Sequence, residues 1–554
     1  MNKNSKEYKK LFQEKKYSEL MFLIERSKNH QDLLAGEHNL LGITRLLIEK
    51  NKKNILLSLD NFENGYLKEK KTKIGLDNLK NFINLNVDLY KIPNTDIDIK
   101  KILNYFQEAK NFWGYDKNLM LAIKRFYWRL NEVKKVQHVL SEMINNQEHD
   151  STTLCSYIYS KGFDDDWSQE DFFKFSKFIQ EKTPLFKEEE LTNLKSNKNK
   201  KLKLAFLSGD IRSNHSVTYF LKTILFNYDK RDFEIYLYFN HENDDETTED
   251  FKKLVNHSKN INNLNDLDAI NTIRSDEVDI AFDLMGATSS HREILFKNKI
   301  APVQINWIGY CNTIGLNGND YILADPYLIK KDEEHLYTEK IVYLPEIWNC
   351  HSGLKSERKE ATVPFIKNKY LTFCSFNNFC KINDKVILAW SEILKKIKNS
   401  RLILKPSGRS HSSRLKNAFQ KNGVEKSVYF YENIRSVDDH LKLYNEVDVA
   451  LDTFPYNGVT TSFEAIWMGV PVLTMKGYNF NSRCGESINN NIGLTNLIAS
   501  NIDDYVSIAH DLSVNTDKLI NIRKQIFQNA LKTPLFDGKN FTTKFFKIIE
   551  DLNK

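Results

Sequence analysis

Apolar residues recur at helical spacing through roughly the first 195 positions. Tyr17–Ile24, Leu40–Leu47, Ile55–Tyr66 and Leu79–Leu89 carry the pattern, and Leu119–Leu130, Val136–Met143, Thr153–Tyr159 and Phe172–Ile179 repeat it. Short polar links between the stripes predict paired helices stacked as an α-solenoid, with a plain helical bundle as the alternative. In KKYSELMFLIERSKNHQDLLAGEHNLLGITRLL, Tyr17, Leu20, Leu41 and Gly42 have the small and apolar layout of a tetratricopeptide unit. No strict repeat of about 34 residues survives, so any array is degenerate. A solenoid would present a concave groove suited to a peptide.

The pattern changes after the charged segment Lys187–Lys203, which reads as a link. Leu202–Ser208, Phe233–Phe239, Val278–Leu284 and Val303–Trp307 read as strands, with a weak one at Ile261–Asn263. Ser216–Phe226, Asp266–Ser275 and Ser289–Phe296 read as helices between them. A second link lies near Leu344–Val363, and the alternation then resumes. Strands are expected at Leu371–Asn377, Arg401–Lys405, Val428–Glu432, Val447–Leu451 and Val470–Thr474. Helices are expected at Asp384–Ile397, Ser410–Asn422, Val437–Asn445 and from about Thr460 to Gly469, then at Asp503–Leu512, Thr516–Asn529 and Phe541–Leu552. Such alternation predicts an α/β chain with two doubly wound, Rossmann-like domains behind an all-α one. The expected boundaries are residues 1–195, 196–357 and 358–554. Two such domains in tandem imply a cleft lined by loops at the C-terminal ends of strands.

Composition narrows the function. At 554 residues the chain is too long for one core. Its 80 basic and 73 acidic residues are mixed throughout, and the net charge of +7 does not indicate a dedicated nucleic-acid binder. The six cysteines form no C-x-x-C pair and no zinc spacing, which favours a reducing, cytoplasmic setting. The N-terminus MNKNSKEYKK has no apolar run behind it, so no signal peptide is expected, and no run is long enough to span a membrane.

The chemistry concentrates at strand ends. In Glu446–Met475 a strand, the loop Asp452–Gly458 and a helix N-terminus make a candidate anion site. Gly458 would let backbone approach a phosphate, Thr460 and Thr461 would cap the helix or donate hydroxyls, and Glu464 would meet a ribose diol. An ordinary strand–loop–helix with a good cap is the bland alternative. Four further loops qualify. SGDIRSNHS places His215 at a helix N-terminus, where partial positive charge keeps it neutral and able to accept a proton. DLMGATSSHR offers Gly286 and Thr288, or is only a turn. CSFNNFCKIND offers Asn378 and Lys381, a lysine able to offset charge on a departing diphosphate. ENIRSVDDH sets His440 on the first turns of a helix, facing either a base or solvent.

Several of these segments form an ordered set. SGDIRSNHSVTYFL, APVQINWIGY, SFNNFCKIND with AWSEIL, LDTFPYNGVTTSFEAIWMGVPVLT, NSRCGESINNNIGLTNLIA and KTPLFDGKNF together resemble the SPINDLY/O-GlcNAc-transferase family, glycosyltransferase family 41, over about residues 200–545. DSTTLCSYIYSKGFDDDWSQEDFFKFSKF resembles the segment joining the helical array of these enzymes to their catalytic part. The resemblance implies a GT-B fold and inverting, metal-independent transfer of a sugar, with no cofactor beyond a nucleotide-sugar co-substrate, most readily UDP-GlcNAc. It places Lys381 and Gly458–Thr461 on the diphosphate, Glu464 on the ribose, Asn378 and His440 on the donor, and His215 on the acceptor side. Val459 stands where the family usually has histidine, and Ala287 where it has histidine or tyrosine.

The expected reaction is an in-line displacement at the anomeric carbon by a Ser or Thr hydroxyl of a protein or peptide. Lys381 and the helix dipole stabilise the leaving diphosphate. His215 is the expected base, with water or a donor phosphate oxygen as alternatives. Three D-x-D strings, Asp96–Asp98, Asp164–Asp166 and Asp266–Asp268, fall in or beside predicted helices and are read as no metal site. Two rival readings stand beside this one. One is an asparagine-modifying glucosyltransferase using UDP-Glc, and the other a non-catalytic helical-repeat interaction protein.

Overall fold

A computed structural model describes residues 3–27, 29–89, 97–194, 201–213, 215–354, 358, 363–405, 412–431 and 436–552. Parts of both expected links, Asp96, Asn214 and the Glu432 end of one expected strand lie outside the described residues. The chain forms two compact units, Met1–Glu148 and, for nearly all the rest, His149–Ser407 with Leu415–Lys554.

The first unit is helical. It comprises α1 (Lys3–Gln13), α2 (Tyr17–Ser27), α3 (Ala35–Ile48), α4 (Lys52–Lys68), α5 (Lys73–Leu89), α6 (Ile99–Trp113), α7 (Lys117–Arg129) and α8 (Val133–Asn145). Local capping starts several of them. Asn51, Asp98 and Asp116 accept the third helical N–H of α4, α6 and α7. Small residues let consecutive helices close on one another. A Cβ on Gly42 of α3 would lie 2.6 Å from the Phe62 ring of α4.

The second unit opens with α9 (Ser151–Lys161) and α10 (Gln169–Lys182). The first sheet contains β1 (Leu202–Ser208), β2 (Phe233–Phe239), β3 (His257–Asn260), β4 (Ile280–Asp283), β5 (Val303–Asn306), β6 (Tyr321–Ala324) and β7 (Lys340–Tyr343), all parallel, in spatial order 3-2-1-4-5-6-7. Its crossovers include α11 (Ser216–Asn227), α12 (Glu246–Leu254), α13 (Asp266–Ser275) and α14 (Glu293–Lys297). The second sheet contains β8 (Leu371–Ser375), β9 (Ser400–Leu404), β10 (Val428–Phe430), β11 (Val449–Leu451), β12 (Val472–Met475) and β13 (Ile498–Ala499), also parallel, in order 10-9-8-11-12-13. Its helices are α15 (Pro364–Asn368), α16 (Asp384–Lys396), α17 (Ser413–Lys421), α18 (Val437–Leu443), α19 (Thr460–Trp467), α20 (Phe480–Ile492), α21 (Ile502–Val514), α22 (Thr516–Asn529) and α23 (Gly538–Leu552). The last of these returns to the first sheet, where Phe545 packs 4.9 Å from Trp307 and Phe546 packs 4.3 Å from Phe233.

Two expectations need correction. The weak strand is not Ile261–Asn263 but His257–Asn260, an exposed edge strand with no apolar side chain to mark it. The helix expected from Ser289 begins only at Glu293. Helix α20 buries an apolar stripe, Phe480, Cys484, Ile488 and Ile492, and beside it a polar face. Asn481, Arg483, Glu486, Ser487 and Asn489 are all buried. Arg483 donates to both Glu333 oxygens, at 2.5 and 2.8 Å, and Ser487 donates to Asp325 at 2.5 Å, so this helix ties the second sheet's layer to the first sheet's loops.

Candidate active site

Strand order reverses between β1 and β4 in the first sheet and between β8 and β11 in the second. Crevices outside such switch points are where open α/β sheets bind ligands. The loops after β1, β4, β8 and β11 are four of those singled out by sequence, so the topology gathers His215, the Asp283–Thr288 turn, Lys381 and the Asp452–Gly458 loop at the two switch points.

Lys381 ends a single 3-10 turn, Phe379–Lys381, that follows β8. Its Nζ donates to the Asn457 carbonyl at 2.7 Å and lies 4.3 Å above the Tyr456 ring. Tyr456 in turn stacks on Phe163 at 4.9 Å, which brings the segment between α9 and α10 over the loop. Burial pulls the Lys381 ammonium below the ordinary lysine range, and the nearby Asp452 offsets part of that pull. Asp452 organises the whole turn. Its Oδ1 accepts from Gly458 N at 2.6 Å and Thr453 N at 2.8 Å, its Oδ2 accepts from Thr474 Oγ1 at 2.8 Å, and Tyr505 donates to its carbonyl at 2.9 Å. Burial pushes its carboxyl up to about 6 against these donors. A Cβ on Gly458 would lie 2.7 Å from Thr461 Oγ1 and 2.9 Å from Asn377 Oδ1, so the turn's own packing requires glycine.

The threonines do not cap α19. Val459 holds the cap position and its side chain makes no cap bond, since it has no polar atom to offer. Thr461 donates instead to Asn377 Oδ1 at 2.9 Å. Within the described residues the N–H groups of Thr460 and Thr461 stay unpaired, while those of Ser462 and Phe463 close on the Val459 carbonyl. Two free N–H groups at the positive end of a helix, beside a lysine, are chemistry that suits an anion. Asn378 is exposed and its Oδ1 accepts from Cys380 N at 3.1 Å, so it shapes the turn that presents Lys381.

His440 and Glu464 meet. Nε2 of His440 lies 3.0 Å from Glu464 Oε2, and the imidazole packs edge-on against Phe376 and Tyr444 at 5.4 and 5.7 Å. His440 therefore faces the crevice, not solvent. Lys405, just past β9, carries an ammonium pulled down by burial, with Glu464 opposing the pull. From the other domain, burial and the charge of Glu464 raise the Tyr219 phenol. Tyr219 lies one turn along α11 from His215, and its neighbour Phe220 meets Phe463 of α19 edge-on at 5.3 Å. Helices α11 and α19 thus pack together across the gap.

His215 precedes α11 without capping it. Its Nε2 is 3.4 Å from Oδ1 of the buried Asp210, and its Nδ1 is buried with no hydrogen-bond partner. Burial holds the imidazole below its ordinary value, against the opposing pull of Asp210. This is a neutral, half-buried histidine with a carboxylate behind it. In the β4 loop, Asp283 Oδ1 accepts from Met285 N and Gly286 N at 2.9 and 3.0 Å, and Thr288 bonds back to the Met285 carbonyl. The loop is a closed turn, with Ala287 buried in it.

The acidic strings are engaged elsewhere. Asp165 pairs with Lys385, Asp166 with Lys161 at 2.7 Å, and Asp266 with Arg292 at 2.7 Å. Asp268 belongs to the N-terminal turn of α13, where its N–H meets the Asn265 side chain. Sequence reasoning missed Asn377, Asp452, Lys405 and Tyr219. Asp452 and Lys405 directly follow apolar runs, which was the available signal.

In the first unit, a cavity of about 1070 Å³ is lined by Tyr8, Asn39, Asn81, Asn84, Asn118 and Arg125 among others. Its wall mixes amide groups with apolar side chains such as Leu40 and Ile74.

Two tandem Rossmann-like domains with a shared crevice make the GT-B fold. The solved structure of an O-GlcNAc transferase mutant from Thermobaculum terrenum superposes with a TM-score of 0.80 at 21% identity, covering 94% of this chain and 98% of that one. The model of glycosyl transferase family 41 matches residues 173–355 and 355–545, and the chain belongs to that family. The Hordeum vulgare protein named "Probable UDP-N-acetylglucosamine--peptide N-acetylglucosaminyltransferase SPINDLY" is 33% identical over 349 residues, 62% of this chain and 37% of its own length. The Arabidopsis thaliana protein with the same description but the name SEC is 25% identical over 366 residues, 63% of this chain and 37% of its own. The chain thus spans under two-fifths of the length of these relatives.

Proposed function

We propose that the chain transfers a sugar, GlcNAc from UDP-GlcNAc, onto Ser or Thr side chains of a protein or peptide, by an inverting, metal-independent displacement. The observation that carries this reading is the meeting of Lys381, the Asn457–Gly458 turn and the open N-terminus of α19 at one switch point. The acceptor oxygen attacks the anomeric carbon as the bond to the diphosphate breaks. Lys381 and the Thr460 and Thr461 N–H groups take up the charge on the departing phosphate. His215, oriented by Asp210, takes the hydroxyl proton. His440, Glu464 and Asn378 hold the nucleoside side of the donor. Under the three-part division at residues 195 and 357, the helical part is a degenerate tetratricopeptide array whose cavity, lined by amide and apolar side chains, suits an extended peptide. The acceptor-side and donor-side Rossmann-like domains follow. A cytoplasmic setting suits six free cysteines.

The test is a donor screen. UDP-GlcNAc, UDP-Glc, UDP-Gal and GDP-Fuc are each added to the protein and Tm is recorded, then modified residues in an acceptor mixture are mapped by mass. The reading expects the largest Tm rise with UDP-GlcNAc and modification of Ser or Thr. Preference for UDP-Glc with modified Asn replaces it by the asparagine-directed reaction. No Tm rise with any donor replaces it by a non-catalytic interaction role.

A further inference from the structure

Cys155, His291 and Glu293 come together from two elements of the second unit. Cys155 lies on α9 and is fully buried. Glu293 opens α14 and is 2% exposed, and His291 precedes it by two residues. One ligand atom from each side chain, a thiol sulfur, an imidazole nitrogen and a carboxylate oxygen, lies within 4.8 Å of both others. Among the described residues this is the one group of three such side chains.

Two features set it apart from an ordinary buried cluster. His291 Nδ1 meets Glu293 Oε2 at 2.5 Å, yet Oε1 of the same buried carboxylate has no hydrogen-bond partner, although the Ser151 hydroxyl is nearby. An unpaired buried carboxylate oxygen carries a desolvation penalty that a ligand would remove. The adjacent cation cannot serve, because Arg292 turns away to Asp266 at 2.7 Å.

We propose that Cys155, His291 and Glu293 form a binding site for a thiophilic divalent cation of the zinc type. A mixed sulfur, nitrogen and oxygen donor set suits zinc, and calcium or magnesium prefer oxygen alone. Zinc bonds of about 2.0–2.3 Å place tetrahedral ligands roughly 3.5 Å apart, so a spread within 4.8 Å closes by side-chain rotation. Thiolate, carboxylate and neutral imidazole together balance the 2+ charge, and water fills the fourth position. Binding forms the metal–sulfur and metal–nitrogen bonds and releases to solvent the thiol proton and the second imidazole proton that Cys155 and Glu293 hold on His291 above its ordinary range. The cation would join α9 to the segment before α14. That segment also supports the loop after β1, because Ser290 packs against Gly209 and its carbonyl accepts from Asn240 at 2.9 Å. The site would therefore brace the loop that carries His215 without touching it. This proposal does not depend on the transfer reaction.

The full chain, purified without a polyhistidine tag, is stripped with a chelator and titrated with zinc chloride against a chromophoric competitor. Cobalt(II) is added in a parallel titration. About one zinc per chain and a thiolate-to-cobalt charge-transfer band are expected. Cys155→Ser abolishes the band, Glu293→Gln weakens zinc binding by more than about tenfold, and Cys374→Ser changes neither. Absence of the band in the wild-type chain overturns the proposal whether or not the variants fold. So does a band that survives in Cys155→Ser.

Discussion

The Lys381 ammonium donates to the Asn457 carbonyl at 2.7 Å across 76 positions of sequence. One N–H of the ammonium is thereby aimed along the Asp452–Gly458 turn. A cation already held in place needs no reorganisation when negative charge develops beside it.

Replacing that cation should act on the chemical step. Lys381→Ala is expected to lower transfer from UDP-GlcNAc by about 10²–10³-fold, the usual loss for one transition-state donor. The Tm rise with UDP should shrink much less. Steady-state rates and thermal shifts on the same preparation separate the two, and unchanged transfer excludes Lys381 from leaving-group stabilisation.

Gly485 tests the carboxylate that holds the turn. A Cβ at this position would lie 2.0 Å from Thr474 Oγ1 and 2.7 Å from Asp452 Oδ2. Gly485→Ala should therefore cost about 1–3 kcal/mol by overpacking and lower Tm. Denaturant unfolding measures the loss, and a variant as stable as wild type would mean that the turn yields freely.

The His440–Glu464 pair should matter for donor binding more than for turnover. His440→Ala removes a hydrogen bond to a buried carboxylate, worth about 1.5–3 kcal/mol. The expected result is a donor KM raised by about tenfold or more, with kcat changed far less. An equal fall in kcat at constant KM would move His440 from binding to chemistry.

The pH profile should report His215. Burial lowers its pKa from the usual value, so the imidazole stays neutral at pH 7 and gains a proton only as pH falls. The acid limb of kcat/KM should then have its midpoint below about 6.5. His215→Gln should lower kcat/KM by about 10²–10⁴-fold and erase that limb. A limb that persists in the variant assigns the titration elsewhere.

Val459 is the residue at the helix mouth with no polar atom. Val459→His would add a donor beside the Thr460 and Thr461 N–H groups, and a hydrogen bond to a charged phosphate should tighten UDP by roughly tenfold. Isothermal titration of both proteins gives the comparison. Weaker binding would show that the half-buried valine is packing that the imidazole disrupts.

Much of the architecture was legible because hydrophobic periodicity is a local signal. Leu202–Ser208 and Phe233–Phe239 are strands with the expected bounds, and Lys381 and Gly458 follow β8 and β11 as their positions in the sequence required. Helix α20 and the short strands β6 and β7 were not legible. The helix buries polar groups beside its apolar stripe, which blurs the contrast between its faces, and no α-helix separates β5, β6 and β7, so the strand–helix alternation that marked the other strands stops there.

Which residues stand at strand ends and helix starts follows from spacing along a few neighbouring positions, and was readable from the order of residues. What each one touches follows from tertiary packing. Thr461 could have capped its own helix, but packing of α19 against the β8 loop brings Asn377 within 2.9 Å and takes its hydroxyl. Asp452 became the anchor of the turn because Thr474 and Gly458 converge on it from both sides. Cys155 meets His291 and Glu293 because α9 packs beside the segment leading into α14. Partners so far apart in the chain are chosen by how layers stack, and no local pattern records that choice.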